Sequence, residues 1–445
     1  MERISRLAVV GGGIAGLGAA WLLSRRYHVT LFERNDYVGG HTNTVECDLP
    51  DGRTPVDTGF IVYNELNYPN LTGLFRRLDV PTRASDMSFA FSSTEPDVEY
   101  AGDSLRNLFA QRRNLVRPAM WRMIGDILRF NRDAVRRAHS GVPATASLGD
   151  HLDELGLGEA FRRYYLLPMG AAIWSCPQEQ MLDFPAEHFL RFFRNHGLVQ
   201  LSGRPQWRTV CGGGREYVRR MLPAIPRVWT QTPVTRIRRQ DGRVRIHDAR
   251  GELGVFDGVV LACHADEALA MLEGPDGPER QVLGAFRYQA NEAILHTDAG
   301  LMPRRRGVWS AWNHLSNGAD DAEGPVSVTY WMNRLQALET ETDVFVSLNP
   351  LSMPEDGHIL SRAQYHHPVF DREAMAAQQH LGDLQGRRST WFCGSYFGYG
   401  FHEDALRSAV QVAELLGVQA PWGAAPAHVA PAPSIAAAPL GSAVE

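Results

Sequence analysis

The stretch from residue 7 to residue 33 constrains this chain more than any other. Residues 7–10 (LAVV) are a short continuous apolar run, the pattern of a strand buried on both faces. The run passes directly into Gly11-Gly12-Gly13-Ile14-Ala15-Gly16, which reads GxGxxG, and then into a helical pattern with Leu17, Ala20, Trp21 and Ser24 along one side. A second β-type run over 28–32 ends in Glu33. Strand, glycine turn, helix, strand and acid in this order make the unit in which a dinucleotide diphosphate rests on a helix N-terminus. Gly11 permits the tight turn, Gly13 lets the backbone approach the diphosphate, and Gly16 lets the helix close on the strand. The free N–H groups of the first helical residues, Ile14 and Ala15 among them, and the positive end of the helix dipole face the phosphates. Glu33 stands where an acid accepts hydrogen bonds from ribose hydroxyls.

After Glu33 the chain reads Arg34-Asn35-Asp36-Tyr37-Val38-Gly39-Gly40-His41-Thr42. A glycine pair at this point resembles the extended FAD fingerprint of the glutathione-reductase-like and amine-oxidase-like flavoproteins. The resemblance implies FAD as cofactor, with Arg34 and Gly40 among its contacts. His41 stands where many relatives have Arg; it either faces the pyrophosphate or flavin, or caps a loop. Residues 56–60 (VDTGF) resemble the superfamily's strand and glycine turn near the flavin, which brings Thr58 and Gly59 to the cofactor. Cys211-Gly212-Gly213-Gly214 resembles the segment that opens the middle helix, and Thr232–Ile237 the strand whose valine backbone, here Val234, meets the adenine. Asp241-Gly242 is a hairpin turn, and residues 256–263 (FDGVVLAC) a buried strand. Residues 391–405 (WFCGSYFGYGFHEDA) resemble the closing strand, glycine-aromatic turn and helix, whose N-terminus points at the flavin N1/O2 edge. That match implies contacts from Gly394, Ser395, Gly400, Phe401, His402 and Ala405, with Ser395 in place of the usual acid. The helix is expected over 403–416, with Gly417 as its stop.

The resemblance covers residues 1–65, 205–265 and 388–417. Residues 57–64 and 170–175 are similar to a narrower group, the bacterial NAD/FAD-binding amine oxidoreductases. The expected fold is α/β: a Rossmann-type FAD-binding domain from 1–65, 205–269 and 388–417, interleaved with an α+β substrate domain. Of the two substrate segments, 66–204 is mostly helical in pattern and faces substrate or membrane. The other, 270–387, has β-type runs at 291–296, 326–331 and 344–348 that suggest a sheet roofing the flavin. The Ala/Pro-rich end, 418–445, is expected to be a disordered tail.

Composition narrows the functions. A net charge of -5 gives no reason to expect nucleic-acid binding. The five cysteines, Cys47, Cys176, Cys211, Cys263 and Cys393, form no CxxC pair and no zinc spacing, so no metal and a reducing compartment are expected. No leader pattern and no 18-residue apolar stretch are visible, and the expected location is cytoplasmic, with or without peripheral attachment to the inner face of the membrane. All 45 basic residues other than histidine are Arg. Amine oxidases of the resembled superfamily place a lysine near flavin N5 and a tyrosine where this chain has Phe401, so the resemblance weighs against an amine substrate.

Trp174-Ser175-Cys176, His196, Trp207, Trp309, Trp312, Tyr330 and Trp331 are candidates for an apolar pocket, above all Trp174, Trp309, Tyr330 and Phe401, although any one alone is more often core. No second GxGxxG unit follows a strand, which leaves oxygen, a quinone or a partner protein as electron acceptor. Members of the narrower group resemble proteins encoded beside cyclopropane-fatty-acid-type synthases, which implies lipid modification. The expectation is an FAD-dependent oxidoreductase that takes hydride from a hydrophobic, lipid-like substrate. The alternatives are an amine oxidase releasing peroxide and ammonia, and a non-redox flavin-dependent isomerase or binding protein. Residues 103–137 carry nine arginines against three aspartates, interleaved with bulky apolar residues, and 189–198 is a second amphipathic piece. Such a pattern suits a helix at an anionic bilayer surface, or a solvated helix face packed on the core.

Overall fold

The computed structural model describes residues 4–140, 146–200, 203–318 and 324–423. Three segments far apart in sequence build one parallel sheet, in the order Arg227–Trp229, His28–Phe32, Arg6–Val10, Gly258–Leu261, Thr390–Phe392. Arg6–Val10 lies at its centre with both faces covered, which is why Leu7, Ala8 and Val9 are all wholly buried and the run shows no polar alternation. On one face lies helix Ile14–Leu23, with helix His402–Leu415 packed against it. The approach is close: a Cβ on Gly18 would lie 2.7 Å from Leu406 Cδ1. The other face carries a meander of Arg236–Gln240, Arg243–Asp248 and Gly251–Phe256, whose Ile237, Val244 and Phe256 share a core with Ala8 and Val10. Its first hairpin turns at Asp241 and Gly242, both at positive φ (52° and 70°), the backbone twist that antiparallel neighbours require.

A second, seven-stranded sheet runs Ile359–Val369, Arg287–His296, Phe345–Leu348, Ser327–Trp331, Trp312–Ser316, Phe89–Ser93, Val98–Ala101. Its neighbours are antiparallel except Trp312–Ser316 and Phe89–Ser93, which are parallel. Two of its strands come from the segment that reads as mostly helical. Helices Pro118–Ser140, Leu148–Glu154, Leu167–Trp174 and Ala186–Asn195 share one apolar core with this sheet.

Two boundaries differ from expectation. Helix Pro69–Arg77 packs on His402–Leu415, and its Leu71, Leu74 and Phe75 belong to the nucleotide-side core, so that side extends past residue 65. At the other end Val418 is buried, and Trp422 stacks on Trp21 at 6.1 Å and donates its indole N–H to Asn70 Oδ1 at 3.2 Å. The packed chain therefore continues beyond 417, because an indole and a valine find an apolar face to cover; the rest of the expected tail, 424–445, lies outside the described residues.

Candidate active site

A cavity of about 760 Å³ opens between the two sheets, within the range of small-molecule and cofactor sites. One end is built of backbone. Gly11 takes φ +105°, and a Cβ there would lie 2.7 Å from Ala262 O. Gly39 N–H donates to Gly12 O at 2.9 Å, and a Cβ on Gly40 would come within 3.0 Å of Gly13 Cα, so the two glycine pairs pack backbone on backbone. Above Gly13 a Cβ would meet nothing within 4 Å; the N-terminus of the first helix opens onto free space, with Ile14 and Ala15 lining it. Gly16 does not reach the cavity. A Cβ there would collide with the Gly11 carbonyl oxygen, so its work is to close helix on turn. Glu33 accepts from Gly12 N–H at 2.7 Å and Asn35 N–H at 2.8 Å, and each oxygen keeps a lone pair for a further donor. Arg34 sits at the rim, paired with Glu267 at 2.6 Å, and Val234 lines the same end.

Thr58 and Gly59 are held in place by their neighbour Asp57. Its buried carboxylate accepts from Gly214 N–H at 2.9 and 3.0 Å and from the Thr44 hydroxyl at 2.5 Å, while its own N–H donates to Gln336 Oε1 at 2.9 Å. Burial pushes the Asp57 carboxyl up to about 7. This residue ties the 56–60 turn to the glycine segment at 212–214, a link that nothing in their separation along the chain announces.

The late turn reaches the same cavity through Gly394, Ser395, Gly400, Phe401, His402 and Ala405. The helix begins at His402, one residue earlier than expected, and ends at Leu415; Gly417, at φ +75°, is its stop. Asp404 Oδ2 holds the turn by accepting from Tyr399 and Phe401 N–H, both at 3.0 Å. The His402 ring stacks on Phe60 at 3.8 Å, and its Nε2 shares hydrogen bonds with the Thr42 hydroxyl (2.9 Å) and the Tyr217 hydroxyl (3.0 Å). Burial lowers its pKa to about 3, which leaves a neutral ring.

His41 is on the cavity wall rather than capping a loop. It stacks on Tyr365 at 4.9 Å, and its buried Nε2 has no hydrogen-bond partner among the described residues. Burial, and then the neighbouring His367, His264, His402 and His366, hold its pKa well below the usual histidine value. Tyr365-His366-His367-Pro368, from strand Ile359–Val369, line the cavity and were not visible as site residues in sequence. No glycine or acid marks them; the sheet register alone carries them there.

The other end of the cavity is aromatic. Trp174, Tyr330 and Phe401 line it, joined by Phe192, His196, Trp207 and Trp312. Phe192 stacks on Phe401 at 5.1 Å and on His196 at 3.9 Å, and lies 4.7 Å from Trp174. Of the expected pocket residues Trp331 does not line the cavity, and neither does Trp309. It packs with Met302 and Phe345, edge-on to Trp331 at 5.5 Å, and its indole N–H donates to Pro303 O at 2.7 Å, in a separate small core. Cys176 is also off the cavity, its Sγ 3.3 Å from Met181 Sδ, with burial pushing the thiol up to about 12. The cavity's charged lining residues, Glu33, Arg34 and Glu267, are all at the glycine end.

The backbone cradle open above Gly13, the unpartnered His41 nitrogen and the aromatic chamber beyond them fit a dinucleotide with an aromatic redox head. FAD, bound there, supplies a hydride acceptor.

Comparison with known proteins agrees. Over 75 residues the chain is 47% identical to a carotenoid phi-ring synthase of Streptomyces griseus, a match covering 16% of this chain and 14% of that protein. Over 71 residues it is 41% identical to the uncharacterized protein R656 of Acanthamoeba polyphaga mimivirus, covering 15% of this chain and 14% of the relative. The chain thus matches about a seventh of the length of these curated relatives. Among solved structures, the CLA-producing fatty acid isomerase from P. acnes superposes with a TM-score of 0.65 at 17% identity, over 93% of this chain and 98% of that one. Cyclohexylamine oxidase from Brevibacterium oxydans IH-35A gives 0.64 at 16%, over 93% and 100%, and putrescine oxidase bound to putrescine gives 0.66 at 15%, over 93% and 98%. Likeness at this identity is likeness of fold. The family model for flavin containing amine oxidoreductases matches residues 14–338, and the chain, an FAD-dependent oxidoreductase, belongs to that family.

Proposed function

We propose that this oxidoreductase removes two hydrogens from a hydrophobic, lipid-like substrate held in the aromatic end of the cavity. The observation that carries this reading is the charge distribution of the lining. Among the described residues no carboxylate, guanidinium or ammonium faces the chamber beyond the glycine end, and the chain has no lysine. Burial lowers His196 and His367 to about 4, which leaves both rings neutral. An apolar chain gains from such walls, whereas an ammonium would have to shed its water without a carboxylate to replace it.

In this reading Trp174, Phe192, Trp312, Tyr330 and Phe401 orient the substrate and exclude water. FAD, bound at the glycine end, would supply the two-electron acceptor for the hydride lost from one carbon, while a neutral histidine of the lining, His196 or His367, takes the proton from the adjacent carbon as the C=C bond forms. The overall balance requires an external two-electron oxidant, oxygen or a quinone. That the same fold occurs in a fatty acid isomerase is compatible with an acyl chain in this chamber.

The experiment is anaerobic mixing of the FAD-loaded protein with detergent-dispersed phospholipid, fatty acids and a panel of amines. Bleaching of the visible flavin band by a lipid is the expected result. Bleaching by an amine alone, with ammonia released, would replace this reading with amine oxidation; double-bond migration without net bleaching would replace it with isomerisation.

A further inference from the structure

Helix Pro118–Ser140 buries one face through Met123, Phe130 and Ala134. Phe130 meets Phe193 of helix Ala186–Asn195 edge-on at 6.4 Å, and Phe192 of that second helix lines the cavity. A single helix layer thus separates the long helix from the aromatic chamber.

The opposite face is unusual. Trp121, Leu128 and Val135 are all exposed and recur every seven residues, close to two helical turns, so they form one stripe. Arg122, Arg129 and Arg136 recur at the same interval beside them, with Arg132 in the same exposed face. The segment before the helix extends the surface. Leu115 and Val116 are exposed, Val116 at 81%, and Leu115 O accepts the Trp121 indole N–H at 2.9 Å. Phe109 packs on Trp121 at 5.3 Å, and Leu105, in the short helix that ends beside Phe109, is 77% exposed. Of thirteen large apolar side chains exposed among the described residues, six fall within 105–135. Even scatter over the chain would put about one there, and singly scattered exposed apolar residues are what an ordinary surface shows.

The charges point the same way. Among the described residues Arg106, Arg112, Arg122 and Arg132 have no carboxylate partner. Arg129 and Arg136 pair with Asp126 and Asp133 at 3.1 and 2.6 Å, yet their side chains stay 55% and 72% exposed. A solvated face has no use for Trp121, Leu128 and Val116. A second copy seated on this face would set arginine rows against arginine rows. An anionic bilayer satisfies both features, since phosphates accept from guanidinium groups while the apolar side chains enter the acyl boundary. We propose that this face, residues 105–136, docks the protein on an anionic phospholipid bilayer, with the chamber one helix away from the lipid.

The test is co-sedimentation of the full-length, FAD-loaded protein with vesicles of phosphatidylglycerol and phosphatidylethanolamine, against vesicles of phosphatidylcholine alone. Binding is expected only to the anionic vesicles, weakening as salt is raised. Joint substitution of Arg106→Ser, Arg112→Ser, Arg122→Ser and Arg132→Ser is expected to weaken it at least tenfold, and Trp121→Ser with Val116→Ser to weaken it at high and low salt alike. These side chains are exposed, and bound flavin and melting temperature check that the variants fold. Indifference to anionic lipid, binding unchanged in the arginine variant, or a dimer in light scattering that the same substitutions disperse would each overturn the proposal. Flavin bleaching by detergent-dispersed lipid reads the chamber without the bilayer, so failure of docking and failure of the lipid-substrate reading are told apart.

Discussion

Glu403 caps the helix that begins beside Asn70. Its Oε1 accepts from Asn70 N–H at 3.0 Å and from Asn70 Nδ2 at 2.7 Å, and its Oε2 from Leu71 N–H at 3.0 Å. A residue in the first turn of the late helix thereby satisfies the free donors of helix Pro69–Arg77, and the two helices are fixed to each other across the nucleotide side.

Removing that cap strands buried N–H groups. Glu403→Ala is expected to cost about 1–3 kcal/mol in denaturant unfolding, and Glu403→Gln less, since the amide oxygen still accepts. Burial raises the Glu403 carboxyl to about 7, so the native state holds its proton more tightly than the unfolded chain. The advantage of Glu over Gln is therefore full below the ordinary carboxylate pKa and is lost as pH rises through about 7. Melting curves of the two proteins from acid to mildly alkaline pH check the sign.

His196 has the opposite dependence. Burial lowers it to about 4, so the unfolded chain takes up a proton that the native ring refuses. Its contribution is complete above the unfolded histidine pKa and disappears as pH falls toward 4, by an amount on the order of 3 kcal/mol. His196→Phe is expected to melt with a flatter acid limb than the natural protein.

Two glycines two residues apart separate folding from cofactor binding. At Gly11 the backbone is at φ +105° and a side chain would strike Ala262, so Gly11→Ala is expected to destabilise the fold by about 1–3 kcal/mol or more. At Gly13 a Cβ meets nothing in the protein, so Gly13→Ala is expected to melt within about 1 kcal/mol of the natural chain. It should nonetheless retain much less FAD, because the methyl occupies the space left for the diphosphate. Flavin absorbance per protein, read beside the melting temperature, distinguishes the two outcomes.

Trp174 and Trp309 make a matching pair on the substrate side. Trp309→Ala empties a small separate core and is expected to cost about 3–5 kcal/mol without changing which donors bleach the flavin. Trp174→Ala opens the chamber wall itself, and its effect should appear as a changed preference for donor size.

The sequence by itself determined the local units. The apolar run at 7–10, the spacing of Gly11, Gly13 and Gly16, and the acid at Glu33 specify a strand, a turn and a helix whose geometry follows from backbone sterics within one short stretch. The Asp241-Gly242 hairpin and the Gly417 stop were legible for the same reason, since positive φ is a local demand. The tertiary structure alone decided what meets at the cavity. His366 and His367 arrive through the register of Ile359–Val369 against Arg287–His296. Asp57 binds Gly214 across 157 residues of chain, and Glu403 binds Asn70 across 333. Trp309 turns away from the chamber while Trp312 faces it. Contacts of that kind depend on which faces of distant elements are pressed together, and an aromatic ring or a buried acid is stabilised equally well by a core or by a cavity wall, so composition and spacing leave the choice to packing.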